Sequence, residues 1–276
     1  MGRKAIATAE STPEVRTVEI DRPWTWLAAG WRDFVRVPGL SLTYGVVFSA
    51  AGFALTYWLY VAGVPYLILP AAAGFALIGP AAAVGLYDVS RRLESGQPVA
   101  LVPILRTIVS RADTFAAMGL VLMLFFLAWM EIALLIFAFF FSDRSISTGN
   151  VMARVFLAPE NLPFLVTGTV AGGILAAAVF AISTISLPLL LDRDVGVPTA
   201  VATSLRAVYR NRKALALWAM IIAVFMSFGV ATFFFGLVLT LPLIGYATWH
   251  AYRDLVEPEH GDQARGALSS GRRQIL

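Results

Sequence analysis

The chain has 276 residues, 59% of them hydrophobic and 14% charged, with 22 glycines besides and a formal net charge of +4. Ordinary soluble domains are about 45–50% apolar with glycine included and about a quarter charged. Composition therefore excludes a soluble globular fold, a disordered chain and a coiled coil, and leaves a protein that crosses a membrane several times.

A spanning helix needs about 20 apolar residues, because the roughly 30 Å hydrocarbon layer is climbed at 1.5 Å per residue. Residues 1–22 read as a disordered cytoplasmic tail, and the first 36 residues lack the continuous apolar run expected of a cleaved signal peptide. From 23 to 256 the chain reads as a single membrane domain. Spans are predicted at 39–62, 65–89, 114–141, 162–191, 214–233 and 236–252. The last two come from dividing Ala214–Tyr252, which as one helix would extend about 58 Å, nearly twice the hydrocarbon thickness. Their turn is expected near Phe233–Gly236. Residues 257–276 read as a second disordered cytoplasmic tail.

Basic residues set the orientation. Of the 21 Lys and Arg, only Arg144 and Arg154, between spans three and four, fall on one side; the rest sit in the tails and in the connections 2–3 and 4–5. Excess Lys and Arg marks the cytoplasmic face, so both termini are expected there, and that needs an even number of crossings. Aromatic rings favour the headgroup level. Tyr57, Trp58, Tyr60 and Tyr66 read as the outer belt, and Trp24, Trp26, Trp31, Tyr87, Trp218 and Trp249 as the inner one.

Each pair of spans follows a short amphipathic segment expected to lie in the interface plane. The apolar stripes are Trp24, Leu27, Trp31, Phe34 and Val35, then Leu101, Ile104, Leu105 and Ile108, then Val201, Leu205 and Val208. Opposite them lie Arg32, Asp33 and Arg36, then Arg106 and Arg111, then Arg206 and Arg210. Trp31-Arg32-Asp33-Phe34, Leu105-Arg106-Thr107-Ile108 and Leu205-Arg206-Ala207-Val208 share a bulky–Arg–x–bulky pattern. Gly96, Pro98, Ala100, Leu105, Arg106 and Ala116 recur one hundred positions later, and Gly74, Pro80, Arg91 and Leu93 recur as Gly236, Pro242, Arg253 and Leu255. Three parallel two-span repeats are expected.

Few residues could carry chemistry. Glu131 is the one charge well inside a span, and an acid in hydrocarbon is a functional hypothesis by default. It reads either as an interhelical or interfacial acid, or as a proton- or ion-handling group. His250, in Trp249-His250-Ala251-Tyr252-Arg253, reads as an interfacial hydrogen-bonding residue ahead of a metal or haem ligand. Asp88 beside Arg91 and Arg92 suits mutual pairing or phosphate contact. Arg32, Arg91, Arg92, Arg106, Arg206 and Arg210 read as contacts to anionic lipid headgroups. Pro80, Pro188 and Pro242 are expected to kink spans two, four and six, which would either frame a cavity or ease packing. Without cysteine, and with histidine only at 250 and 260, no metal site, cofactor or enzymatic activity is expected. Nucleic acid is not an expected partner. The bilayer, other membrane proteins or a second copy are.

Gly74-Phe75, Gly79-Pro80 and the run Gly85-Leu86-Tyr87-Asp88-Val89-Ser90-Arg91-Arg92-Leu93-Glu94-Ser95-Gly96 resemble an uncharacterised bacterial family of integral membrane proteins. So do Ser186-Leu187-Pro188, Leu191-Asp192-Arg193 and Trp249-His250-Ala251-Tyr252-Arg253. The family is a domain of unknown function, sometimes labelled cytochrome c oxidase subunit I-like. The resemblance implies a bacterial inner-membrane location and supplies no catalytic residues. Two histidines cannot ligate two haems and a copper, so this chain is not an oxidase catalytic subunit. The expectation is an all-α, six-helix bundle acting as a non-enzymatic accessory, scaffold or assembly component. The alternative is a small-solute transporter or channel that works through Glu131.

Overall fold

A computed structural model describes residues 13–142 and 159–257. Arg144, Arg154 and His260 lie outside the described residues, as do residues 1–12 and 258–276.

Among the described residues the architecture is all-α apart from one isolated β-bridge. Helix α1 (Arg22–Arg36) leads through Val37 into α2 (Pro38–Val61). After a turn at Gly63, a 3-10 turn (Pro65–Leu67) opens α3 (Ile68–Ala82), followed across Ala83 by α4 (Val84–Glu94). Helix α5 (Leu101–Ser110) leads through Arg111 into α6 (Ala112–Phe141). Helix α7 (Leu162–Ser183) is followed across a break by α8 (Ser186–Asp192). Helix α9 (Val197–Arg210) leads through Asn211 into α10 (Arg212–Ala231), and a tight turn leads to α11 (Leu237–Leu255).

Five helical stretches are long and apolar enough to cross a membrane: Pro38–Val61, Pro65–Glu94, Ala112–Phe141, Pro159–Asp192 and Arg212–Ala231. Many large apolar side chains on them are exposed, among them Val47 and Phe53 on α2, Leu120 and Leu135 on α6, Ile174 on α7 and Val224 on α10. Apolar surface on that scale suits a lipid solvent. The expected sixth span, α11, is not among the five. It is more polar, carrying Thr240, Tyr246, Thr248, His250, Arg253 and Asp254, and most of its residues are buried by protein. Helices α1, α2, α4, α8 and α10 surround it. A helix that meets protein over most of its surface has less need of a lipid-compatible face, so its apolarity is free to fall.

Close approach to α11 is made by glycine. A Cβ at Gly45 would overlap the Val238 carbonyl oxygen, and one at Gly30 would lie 2.7 Å from the Ala247 nitrogen. Small residues let helix backbones meet in this way. The α10–α11 turn runs through Phe233 and Phe234, both at positive φ (52° and 68°). That strained turn is held by its surroundings: Phe234 packs over Gly52, its carbonyl accepts a 2.8 Å bond from the Ser49 hydroxyl, and Thr232 Oγ1 accepts from the Gly236 N–H.

Two spans are interrupted, each with a side chain at the opening. At Ala83 the Tyr44 hydroxyl donates to the Ala82 carbonyl, while the Leu86 N–H tightens to the Ala83 carbonyl. At the α7–α8 break, Ser204 of α9 inserts its hydroxyl between two groups that would otherwise bond each other: it donates to the Ala181 carbonyl (2.7 Å) and accepts from the Ile185 N–H (3.3 Å). A side chain inserted into the helical ladder is a recognised cause of a break. Pro188 follows, unable to donate to Thr184. Pro242 lies within α11, which runs through it without interruption.

The aromatic residues divide. Tyr57, Trp58 and Tyr60 are exposed at the far end, and Trp24 and Trp31 at the basic end. Trp26, Tyr87, Trp218 and Trp249, expected in the inner belt, are core residues instead, with Trp26 and Trp218 edge to face at 5.9 Å. Indole is apolar enough to pack a core wherever neighbouring helices cover it.

Candidate functional site

Every described Lys and Arg lies at one end of the bundle, and the polar interior is concentrated there. Asp88, fully buried on α4, receives Arg91 at 2.5 Å and Arg92 at 2.7 Å, one guanidinium per carboxylate oxygen. Each arginine also binds outward from α4: Arg91 reaches the Leu191 carbonyl on α8, and Arg92 reaches Thr107 and the Pro103 carbonyl on α5. Arg111, at the head of α6, donates to the carbonyls of Leu190 and Arg193 at 2.7 Å each.

A second knot joins α1, α4 and α11. One oxygen of Asp33 takes both the Ser90 hydroxyl and His250 Nε2, each at 2.8 Å, and Arg36 stands 3.7 Å from the other oxygen. Ser90 and His250 both address the acid rather than each other, so the trio clamps three helices and does not form a relay to a nucleophile. Further out, Glu94 accepts from the Trp249 indole and from Arg253, and Asp192 accepts from the Tyr252 hydroxyl at 2.6 Å.

Arg22 holds Asp254 through two bonds of 2.7 and 2.8 Å, and the Trp26 indole adds a third. Burial pushes the Asp254 carboxyl pKa up, but the bonds from Arg22 and Trp26 outweigh it, and the net direction is down. Residues expected as tail complete the closure. Val15 bridges to Val256, Arg16 pairs with Glu257, and Asn211 holds both the Val18 N–H and the Arg16 carbonyl.

The residues singled out from the sequence thus separate. Asp88 and His250 lie in the buried clamp. Glu131 does not: it is exposed on α6, without a hydrogen bond or ion pair among the described residues, beside exposed Leu127, Leu134 and Leu135. Its level follows from its neighbours, because the Trp129 indole bonds the Pro70 carbonyl and Tyr66 stacks on Phe137, both near the turn of the first hairpin at the end away from the arginines. At 1.5 Å per residue Glu131 stands about 9 Å inward of Phe137. Arg91 and Arg92, expected at lipid headgroups, are taken up by Asp88, since a buried carboxylate must be paired. Arg32, Arg106, Arg206 and Arg210 are exposed.

Asp33, assigned to a solvent face from the sequence, is buried. The spacing of Trp26, Gly30, Asp33 and Phe34 traces the face α1 presents to α11, and could have revealed it. Ser204, Asp192 and Asp254 had no comparable signal, because their partners are remote in sequence. A crevice of about 230 Å³ lined by Tyr44, Phe48, Val84, Ile108, Phe115 and Leu187 contains neither Glu131 nor His250 in its lining, and no charged side chain.

Residues 67–192 match the model of a family described as "Predicted integral membrane protein (DUF2189)". That family is uncharacterised, and the match carries nothing of the oxidase label. The matched segment includes Asp88, Arg91, Arg92, Arg111, Glu131 and Asp192, and so the centre of the clamp. No curated protein and no solved structure matches the chain.

Proposed function

We propose that this integral membrane protein is a non-enzymatic accessory or scaffold component that works through its surfaces, not through a conducting path. The observation that carries this reading is the direction of Glu131. Its side chain leaves α6 outward among exposed leucines, away from the polar interior of the bundle, and so does not point between the described helices. The other intramembrane candidates, Asp88 and His250, are engaged in holding helices together: Asp88 through Arg91 and Arg92, and His250 through its Nε2 contact with Asp33.

We further infer six crossings, with α11 as the sixth, both chain ends on the cytoplasmic side, and a bacterial inner-membrane location. The tight turn before α11 returns the chain to the basic end, where Val256 meets Val15. The test is flux through proteoliposomes of purified protein loaded with small ions and neutral solutes. The expected result is leak equal to protein-free vesicles. A flux abolished by Glu131→Gln would overturn the reading in favour of transport.

A further inference from the structure

The three short helices α1, α5 and α9 carry their outward residues in one common register. Trp31, Leu105 and Leu205 are about equally exposed, at 52%, 49% and 46%. Four positions later Val35, Val109 and Tyr209 are exposed as well, and one position earlier Gly30, Ile104 and Ser204 are buried. Each helix runs into its span through one residue, Val37, Arg111 or Asn211, at the same distance from the motif. A helix tied so closely to a membrane span cannot leave the bilayer surface, and its outward apolar pair is placed to enter the headgroup–acyl boundary.

The charges on that face have one sign. Every exposed charged side chain on these helices is an arginine, and the acid among them, Asp33, is buried. Arg32 and Arg106 have no hydrogen bond or ion pair among the described residues, and Arg206 has only a 3.4 Å bond to the Ala202 carbonyl of its own helix. Arg36 and Arg210, by contrast, have partners in Asp33 and Thr17. Arg32, Arg106 and Arg206 directly follow the exposed Trp31, Leu105 and Leu205.

We propose that Arg32, Arg106 and Arg206 form three equivalent sites for the phosphate of an anionic phospholipid in the leaflet at the basic end. The guanidinium takes the phosphate oxygens in a forked contact, and the neighbouring apolar pair packs against the upper acyl chain. The sites need only a membrane-surface position for the three helices, so finding a solute flux would leave them standing.

The test uses delipidated full-length protein in neutral detergent, given equal amounts of phosphatidylglycerol and phosphatidylcholine, with bound lipids counted by native mass spectrometry. Phosphatidylglycerol should be retained preferentially, by about fivefold per arginine at low salt, with a preference that falls as salt rises. The R32Q/R106Q/R206Q variant should bind both lipids equally while keeping its helical content. If the triple variant does not fold, the single variants serve, and each should lose one bound phosphatidylglycerol. Equal retention of the two lipids by the parent protein would sink the proposal. So would a triple variant that keeps the preference, or displacement of phosphatidylglycerol by millimolar inorganic phosphate, which would mark a free-anion site.

Discussion

Asp88 is the residue on which the basic end of the bundle turns. Its carboxylate is out of contact with solvent, and two guanidinium groups make that burial tolerable while their remaining donors bind α5 and α8. Asp88→Ala leaves two cations without their anion in a half-buried site, which costs on the order of 3–5 kcal/mol. A large drop in melting temperature in detergent is expected. Asp254 is milder, because Arg22 is well exposed and screening limits the pair to about 1 kcal/mol. Its pKa is lowered in the fold, so its contribution is complete above the unfolded carboxylate value of about 4 and is lost as pH falls through the lower folded value. Melting curves of Asp254→Asn and the parent should therefore converge under acid and separate near neutrality. Glu131→Gln, which removes no hydrogen bond or ion pair among the described residues, should change stability by less than about 0.5 kcal/mol.

Elements join where a side chain or a glycine permits contact with a neighbouring backbone. Ser204 stands in for a helical hydrogen bond between Ala181 and Ile185, so Ser204→Ala leaves a buried N–H and a buried carbonyl unmet, at a cost of about 1–3 kcal/mol. Faster amide hydrogen exchange at Ile185 in that variant, with little change elsewhere, is the expected signature. Gly45 faces the Val238 main chain, which cannot move aside as a flexible side chain would. Gly45→Leu should force α2 away from α11 and cost about 3 kcal/mol or more, read as loss of monodisperse protein during purification. The same substitution at Gly79, where nothing lies within 4 Å of the place a Cβ would take, should be tolerated far better.

At the scale of the whole molecule, the contacts run in a cycle. Helix α5 lies on α4, α9 lies on α7 and α8, and α1 lies on α11, so each short helix rests on the end of the hairpin before it and the last hairpin meets the first helix. The bridge from Val15 to Val256 and the Asn211 contacts fasten that closure. The chain has no cysteine, so a V15C/V256C pair would be its sole thiols. Bridged residues bring their Cβ atoms about 4.5–5.5 Å apart. Oxidation should give an intramolecular disulfide, seen as a gel shift, with a rise in melting temperature. Failure to cross-link, or cross-linking only between molecules, would contradict closure of the ring.

Sequence alone determined the solvent of this protein and the helices that meet it. Apolar run length, cation placement and the bulky–Arg–x–bulky pattern are local quantities, set by bilayer thickness and helical period, and they led to the membrane class and to the three short helices α1, α5 and α9. The direction of each polar side chain was decided by the tertiary structure. Glu131, read from the sequence either as an interhelical or interfacial acid or as a proton- or ion-handling group, faces outward, while Asp33, placed on the polar face, is buried, because whether a helix face meets lipid or protein depends on partners far away in the chain. For the same reason the expected span least like one, α11, stands at the centre: Tyr246, His250, Arg253 and Asp254 are tolerated there because neighbouring helices replace lipid and answer their hydrogen bonds.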